Sequence, residues 1–575
     1  MSKSDIRHKI EEIKKSFKEK NFDDVIYQIE KLSNIKNRSP ELSSLSGICK
    51  IIKPNSKKNE IFSALNDFED AYIKAKKNNI GLESVCNYIS TCILYADNYP
   101  ELLDSLSKVK SMFTEAKQSF GFNEKLNLAG IKLNKFTLDY KNMRINISEM
   151  IKNKTKHLTT ACRWAHINNY SYNWKQEDYL NYSNDLKKSF PNYNTKNLSE
   201  IDFKENSKIK VGFISCNFNL GHSITYFIRD IVSNLDKLIF ETYAIDVGKY
   251  GSNNNPDAEF KNNYDHWLEL NNKSNQEVID IIQENKIEIL IDTISLTYPD
   301  RTGILNNRIC PLQISWLAYC NTLGFDTIDY LVADKYVIKN GEEKYYKEEI
   351  IKLPNIWSAH AGFNLERKYQ NPPILENKHI TFGSFNNFLK ISDEVVETWS
   401  KILKKIDGSK LILKSSESYN YEIIKKKFAK YNVENSIIIL DKKNFTKIED
   451  HLNQYDKVDI ALDTFPYTGV TTTFEALWKS VPVITMAGHN FKSRCGESII
   501  KNANISELIC LDRNDYINKA VELSKDINAI TDLRKKIFNN ILKTPLFKTK
   551  EYTLEFQGML TKKYSRNNKR YSNQN

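Results

Sequence analysis

From residue 208 onward the chain repeats one grammar, and it leaves few folds open. Short apolar runs recur: KIKVGFI (208–214), FETYAID (240–246), IEILID (287–292), LQISWL (312–317) and IDYLV (328–332), with helical NQEVIDIIQENK (275–286) among them. A break at YQNPPILENK (369–378) precedes a restart with HITFGSF (379–385), KLILKS (410–415), SIIIL (436–440), VDIAL (458–462) and VPVITM (481–486). Helical stretches 393–406, 420–430, 446–456 and from 472 lie between these runs, with more helix to about 542. Short continuous apolar runs are strands buried on both faces, and strands alternating with helices build parallel sheets. The expectation is an α/β chain with two doubly wound units, ligands binding in the cleft beyond the carboxyl ends of their strands.

Residues 1–200 read as all-helical, with apolar residues at three- and four-residue spacing (Phe17, Val25, Ile29, Leu32, and again over 102–112). A helical-repeat array fits, although no clean 34-residue period is present. The Asn-rich FPNYNTKNLSE (190–200) reads as a linker. The expected domains are therefore 1–200, 205–375, 376–560 and a basic tail, 561–575, expected to be disordered.

Hydrophobic residues make up 40% of 575, enough for sizeable cores. No run of about 18 apolar residues occurs, so no membrane span is expected. MSKSDIRHKIEEIKK is charged and amphipathic with no apolar signal region, so no signal peptide is expected. The nine cysteines stand singly, without a CxxC, as reduced thiols of a cytoplasmic protein do. Net charge is +12, but lysines interleave with glutamates on helices, the pattern of solvated faces and not of a nucleic-acid stripe.

One stretch calls for a ligand. LDTFPYTGVTTTFEALWKS (462–480) hands a strand over to a helix through Gly469 and Val470 and then three threonines, Thr471, Thr472 and Thr473. The first turn of a helix has unpaired N–H groups and partial positive charge, and hydroxyls beside them suit phosphate. A plain N-cap would need one threonine, not three. The stretch is not a Walker A loop.

LDTFPYTGVTTTFEALWKSVPVITMAG (462–488) resembles the donor-binding signature of the O-GlcNAc transferase/SPINDLY family. FGSFNNFLKISDEVVETWSKILKKIDGSKLILK (382–414) and TPLFKTKEYTLEFQGML (544–560) are similar to the same family. GFISCNFNLGHSITYF (212–227) and ICPLQISWLAYCNTLGFDTIDYLVAD (309–334) resemble its first catalytic half more loosely. The resemblance implies a GT-B fold, two Rossmann-like lobes, with inverting transfer to protein hydroxyls. It implies a nucleotide sugar, first choice UDP-GlcNAc, as co-substrate, and no cofactor. Carried over residue by residue, it puts Lys390 on the donor diphosphate, Asn387 and His451 at the nucleotide, and Glu475 at the ribose. The turn Gly469–Thr473 receives the phosphates, and His222 faces sugar and acceptor. The helical region would recognise the protein acceptor or mediate assembly into oligomers.

Three departures stand out. DTISLT (292–297) replaces a Gly-His-Thr-like loop, LAYCNTLG (317–324) replaces a Gly-Tyr-Pro-Gly pattern, and Val470 stands where the animal enzyme has histidine. They leave open another UDP-hexose or GDP-fucose as donor and asparagine as acceptor. A helical scaffold with an inactive transferase fold is the non-enzymatic alternative. No Asp-x-Asp pair occurs anywhere, which argues for a metal-free site.

Overall fold

Every apolar run noted after residue 208 is a strand, and every ladder between strands is parallel. The structure, a computed structural model, describes residues 3–32, 38–153, 170, 174–188, 190–201, 203, 208–219, 222–248, 258–415, 419–441 and 444–572. Two compact units are present, residues 1–157 with the short piece 417–423, and the rest.

In the first unit the helices Pro40–Ile52, Lys58–Lys74, Asn79–Tyr95, Leu106–Phe120, Glu124–Phe136 and Tyr140–Lys152 follow one another with short connections. The apolar stripes of the first five meet in a core that includes Ile61, Phe68, Tyr72, Val85, Ile89, Val109, Leu126 and Leu133. Gly47 lets two helices close up, since a Cβ there would lie 2.6 Å from the Phe68 ring. Buried Asp67 accepts from Ser46 (2.8 Å), Lys50 (2.8 Å) and Arg38 (2.9 Å), which balances the charges removed from water.

The second unit holds both sheets. The first lobe contains β1 (Ile209–Ser215), β2 (Phe240–Asp246), β3 (His266–Glu269), β4 (Ile289–Asp292), β5 (Leu312–Ser315), β6 (Tyr330–Asp334) and β7 (Glu349–Leu353), in the order 3-2-1-4-5-6-7. The second contains β8 (Thr381–Ser384), β9 (Lys410–Ser415), β10 (Ile437–Asp441), β11 (Ile460–Leu462), β12 (Val483–Met486) and β13 (Ile509–Cys510), in the order 10-9-8-11-12-13. Strand order reverses between β1 and β4 and between β8 and β11, the points where such sheets open a crevice for ligand. This is the expected GT-B architecture of two Rossmann-like lobes.

The stretch 190–200 lies along the first lobe. Phe190 packs on Phe325 (5.6 Å between centroids), and the backbone of Tyr193, Asn194 and Lys196 donates to Asn307, Gln276 and Gln283, each at 2.9 Å. The tail expected to be disordered is instead the end of a helix, Thr549–Ser572. Lys563 pairs with Glu349 of the edge strand β7 at 2.8 Å, and the Tyr564 hydroxyl donates to Glu288, just before β4. Residues 573–575 lie outside the described residues. Among the described residues no helix is long and apolar enough to cross a membrane.

The lobes are joined by buried polar contacts. Arg494, from the helix Phe491–Asn502, makes a two-pronged ion pair with Glu342 at 2.5 and 2.9 Å. Asp334, at the end of β6, accepts from the backbone of Tyr336 (2.7 Å), Val337 (2.9 Å) and Trp357 (3.1 Å) and from the Ser498 hydroxyl of the second lobe (2.6 Å). Asp334→Ala strips the acceptor from four donors, three of them buried, and should cost about 3 kcal/mol. Denaturant unfolding checks this, and a midpoint unchanged from wild type would contradict it.

Candidate active site

At the β8/β11 switch point the chain leaves β11 into a turn held by one buried carboxylate. Asp463 Oδ1 accepts from the N–H of Gly469 (2.6 Å) and Thr464 (2.8 Å), and Oδ2 accepts from the Thr485 hydroxyl (2.7 Å). Gly469 is required by close approach: a Cβ would lie 2.5 Å from Thr472 Oγ1 and 2.9 Å from Thr473 Oγ1. The helix Thr471–Trp478 then starts from Val470, which supplies no side-chain cap. Thr473 bonds back to the Gly469 carbonyl (3.1 Å), and Thr472 donates to Asn386 Oδ1 (3.1 Å). Among the described residues, the Thr471 hydroxyl and the amides of Thr471 and Thr472 have no partner. The threonines do not cap the helix, and its positive end stays open.

Lys390 arrives from the neighbouring strand, after β8, on a single 3₁₀ turn, Phe388–Lys390. Its ammonium donates to the Thr468 carbonyl (2.9 Å) and Asn386 Oδ1 (3.3 Å), 4.2 Å from the Tyr467 ring centroid. These use two of its three N–H groups. Burial pulls the Lys390 pKa down, and the Asp463 charge opposes that pull. Burial pushes Asp463 up to about 6 against the Gly469 N–H, the Thr485 hydroxyl and the Lys390 charge. Asn387 is exposed, and its side-chain Oδ1 accepts from the Leu389 N–H (2.9 Å) to close the turn.

A second cluster lies across the same strand ends. His451, on the helix Ile448–Leu452, sits between Lys414 of β9 (Nζ to Nδ1 2.8 Å) and Glu475 (Nε2 to Oε2 3.0 Å). The Tyr455 hydroxyl is 2.8 Å from the same Glu475 oxygen and 3.2 Å from the Thr472 carbonyl, which ties the cluster to the threonine turn. Burial alone would raise Glu475, but His451, Lys414 and the Tyr455 hydroxyl together carry its pKa below the ordinary value. Asn386, Lys414 and Tyr455 were not anticipated. Lys414 had a signal, as a charge at the carboxyl end of the apolar run KLILKS.

In the first lobe His222 follows β1, with Leu220 and Gly221 of its loop outside the described residues. Its Nδ1 accepts the Ile224 N–H at 3.3 Å. The helix that follows, Thr225–Asn234, touches the second lobe through Phe227, 5.3 Å from the Phe474 ring. The loop after β4 is closed on itself. Asp292 accepts from Ile294 N (2.8 Å), Ser295 N (2.8 Å) and Ser295 Oγ (2.6 Å), and Ser295 adopts a left-handed φ of 46°. In LAYCNTLG, Leu317 has φ 76°, and Glu348 holds Thr322 and Leu323 at 2.7 Å each. Among the described residues no group of three His, Cys, Asp or Glu is placed to hold a metal ion.

A family model for glycosyl transferase family 41 matches residues 186–362 and 364–556, more than half of the chain. The chain belongs to glycosyl transferase family 41. It is 27% identical over 389 residues to a probable UDP-N-acetylglucosamine–peptide N-acetylglucosaminyltransferase SPINDLY of Solanum lycopersicum, covering 65% of this chain and 40% of that one. It is 32% identical over 290 residues to the SPINDLY protein of Eustoma exaltatum subsp. russellianum, covering 49% and 31%. The chain thus spans about two fifths or less of the curated relatives it matches. A mutant O-GlcNAc transferase of Thermobaculum terrenum has the same fold, with TM-score 0.70, 18% identity, and 88% of this chain and 95% of that one covered.

The raised pKa of Asp463 gives this family 41 chain a testable pH response. A carboxyl that binds its proton more tightly folded than unfolded contributes stability fully below the unfolded pKa, near about 3.9. That contribution is lost as pH rises through about 6. Asp463→Asn lacks this titration. The melting temperature of wild type should therefore lead that of the variant most at about pH 4, and the lead should shrink by about pH 7. A lead that widens over that interval would contradict the assignment.

Proposed function

We propose that this chain is an inverting, metal-independent glycosyltransferase that moves a sugar, first choice GlcNAc from UDP-GlcNAc, onto serine or threonine of a protein. The observation that carries this reading is the open helix end at Thr471 and Thr472 beside Lys390, at a strand switch point. Bare amides, a hydroxyl and an ammonium form a cationic seat for a diphosphate. The names of the SPINDLY relatives add the sugar and the peptide acceptor. Metal independence rests on the missing Asp-x-Asp pair and on this seat. A cytoplasmic setting rests on thiols left free at Cys49, Cys86, Cys92, Cys216, Cys310, Cys320, Cys495 and Cys510.

In this mechanism the acceptor hydroxyl oxygen attacks the anomeric carbon from the face opposite the diphosphate. The new C–O bond forms as the glycosidic bond breaks, its electron pair leaves on the phosphate oxygen, and the hydroxyl proton passes to an oxygen of the departing diphosphate or to solvent. Lys390 and the helix end meet that charge as it develops, in a site already organised for it. The Ile224 N–H donates to His222 Nδ1 at 3.3 Å, which turns Nε2 away from that bond. On this reading His222 presents its Nε2 to sugar or acceptor oxygens. Glu475 and His451 hold the nucleoside. The altered loops after β4 and β5 sit in the first lobe, so donors other than UDP-GlcNAc belong in the test.

Release of nucleoside diphosphate from UDP-GlcNAc, other UDP-hexoses and GDP-fucose, with and without EDTA, is the experiment. UDP-GlcNAc should be consumed at the same rate in EDTA. Lys390→Ala should keep UDP affinity within about tenfold and lose about 10²–10³-fold in turnover. A near-normal rate in Lys390→Ala, or activity abolished by EDTA and restored by a divalent cation, would overturn the mechanism. Consumption of nothing by a chain that binds no nucleotide would favour the scaffold alternative.

A further inference from the structure

We propose that Lys414 is a positioning residue that fixes His451 as the neutral, Nε2-protonated tautomer and thereby leaves one Glu475 oxygen for the ligand. The inference rests on reading the second lobe as the nucleotide-sugar site. An ammonium only donates, so the ring nitrogen it bonds must be bare, and Lys414 Nζ is closer to Nδ1 (2.8 Å) than to Nε2 (3.2 Å). A carboxylate only accepts, so the nitrogen 3.0 Å from Glu475 Oε2 must carry hydrogen. One tautomer satisfies both contacts. An imidazolium would set an N–H and a second positive charge against the ammonium.

The surroundings hold this arrangement in place. The side chains of His451 and Glu475 are 13% and 9% exposed, so their bonds are little weakened by water. Tyr455 donates its hydroxyl to Glu475 Oε2, and its ring lies 4.5 Å from that of Phe385. Phe385 in turn lies 5.6 Å beneath the Lys414 ammonium. The order along the chain of contacts is cation, neutral ring, anion. Both nitrogens of His451 are committed, so the ring has only its face to offer a ligand. Glu475 Oε2 takes two bonds, which leaves Oε1 for hydroxyl donors. A flat apolar face and an acceptor oxygen suit a base joined to a diol, as in a nucleoside. Without Lys414 the ring is free to place its proton on either nitrogen, and the bond that aims Glu475 is lost in part of the population.

The test uses the full chain and its Lys414→Met and Lys414→Arg variants, with UDP as probe. The ¹⁵N shifts of the His451 ring, assigned with His451→Gln, report the tautomer directly. Wild type should show a bare Nδ1 and a protonated Nε2. In Lys414→Met the two signals should move together, and UDP affinity should fall about tenfold. Lys414→Arg, also only a donor, should restore both. Protonated Nδ1 in wild type overturns the proposal, as do unchanged shifts and affinity in Lys414→Met. Should Lys414→Met fail to fold, the wild-type and Lys414→Arg spectra still decide the tautomer. A Lys414→Met variant that binds UDP as tightly as a UDP-binding wild type removes this inference alone. One that binds neither UDP nor GDP removes the nucleotide-site reading and this inference with it.

Discussion

The Asp463 carboxylate is the constraint on which the site depends. It is buried, and its two oxygens gather the Gly469 amide, the Thr464 amide and the Thr485 hydroxyl. That gathering turns the chain sharply after β11, so the next helix begins without a cap and keeps its first amides open. The same carboxylate faces Lys390, and each charge makes the other's burial tolerable. A buried acid, a lysine and an uncapped helix are each unfavourable alone. Together they are the group proposed above to seat a diphosphate.

The two parallel sheets give that seat its address. Because β8 and β11 are neighbours, the loop carrying Asn386 and Lys390 and the turn carrying Gly469 leave the sheet side by side. Because β9 is next to β8, Lys414 leaves beside them. Cross-lobe contacts through Asp334, Ser498, Arg494 and Glu342 hold the first lobe, with His222, against this edge. Local chemistry within loops is thus placed by ladder registers set far from it.

Much of this was legible in the sequence, and the misses have physical causes. Ten strands were readable because strands buried on both faces are continuously apolar. β3 (HWLE) and β7 (EIIKL) escaped because edge strands carry charge on their open side, and β13 because two residues leave no pattern. The threonine turn was read as more than a cap, and the helix that it opens has no side-chain cap. Asn386, Lys414 and Tyr455 were not, since their roles come from strands and helices brought together from distant parts of the chain. The tail was read as disordered from its basic composition. Its contacts run to carboxylates at Glu288 and Glu349, which no local pattern could reveal.

Amide hydrogen exchange with and without UDP tests the central claim most directly. If the open helix end receives the diphosphate, peptides covering residues 467–474 should exchange markedly more slowly once UDP is bound, because the Thr471 and Thr472 amides then gain acceptors. UDP that binds while those amides exchange at their free rate would contradict the account, since the phosphates would then be seated elsewhere.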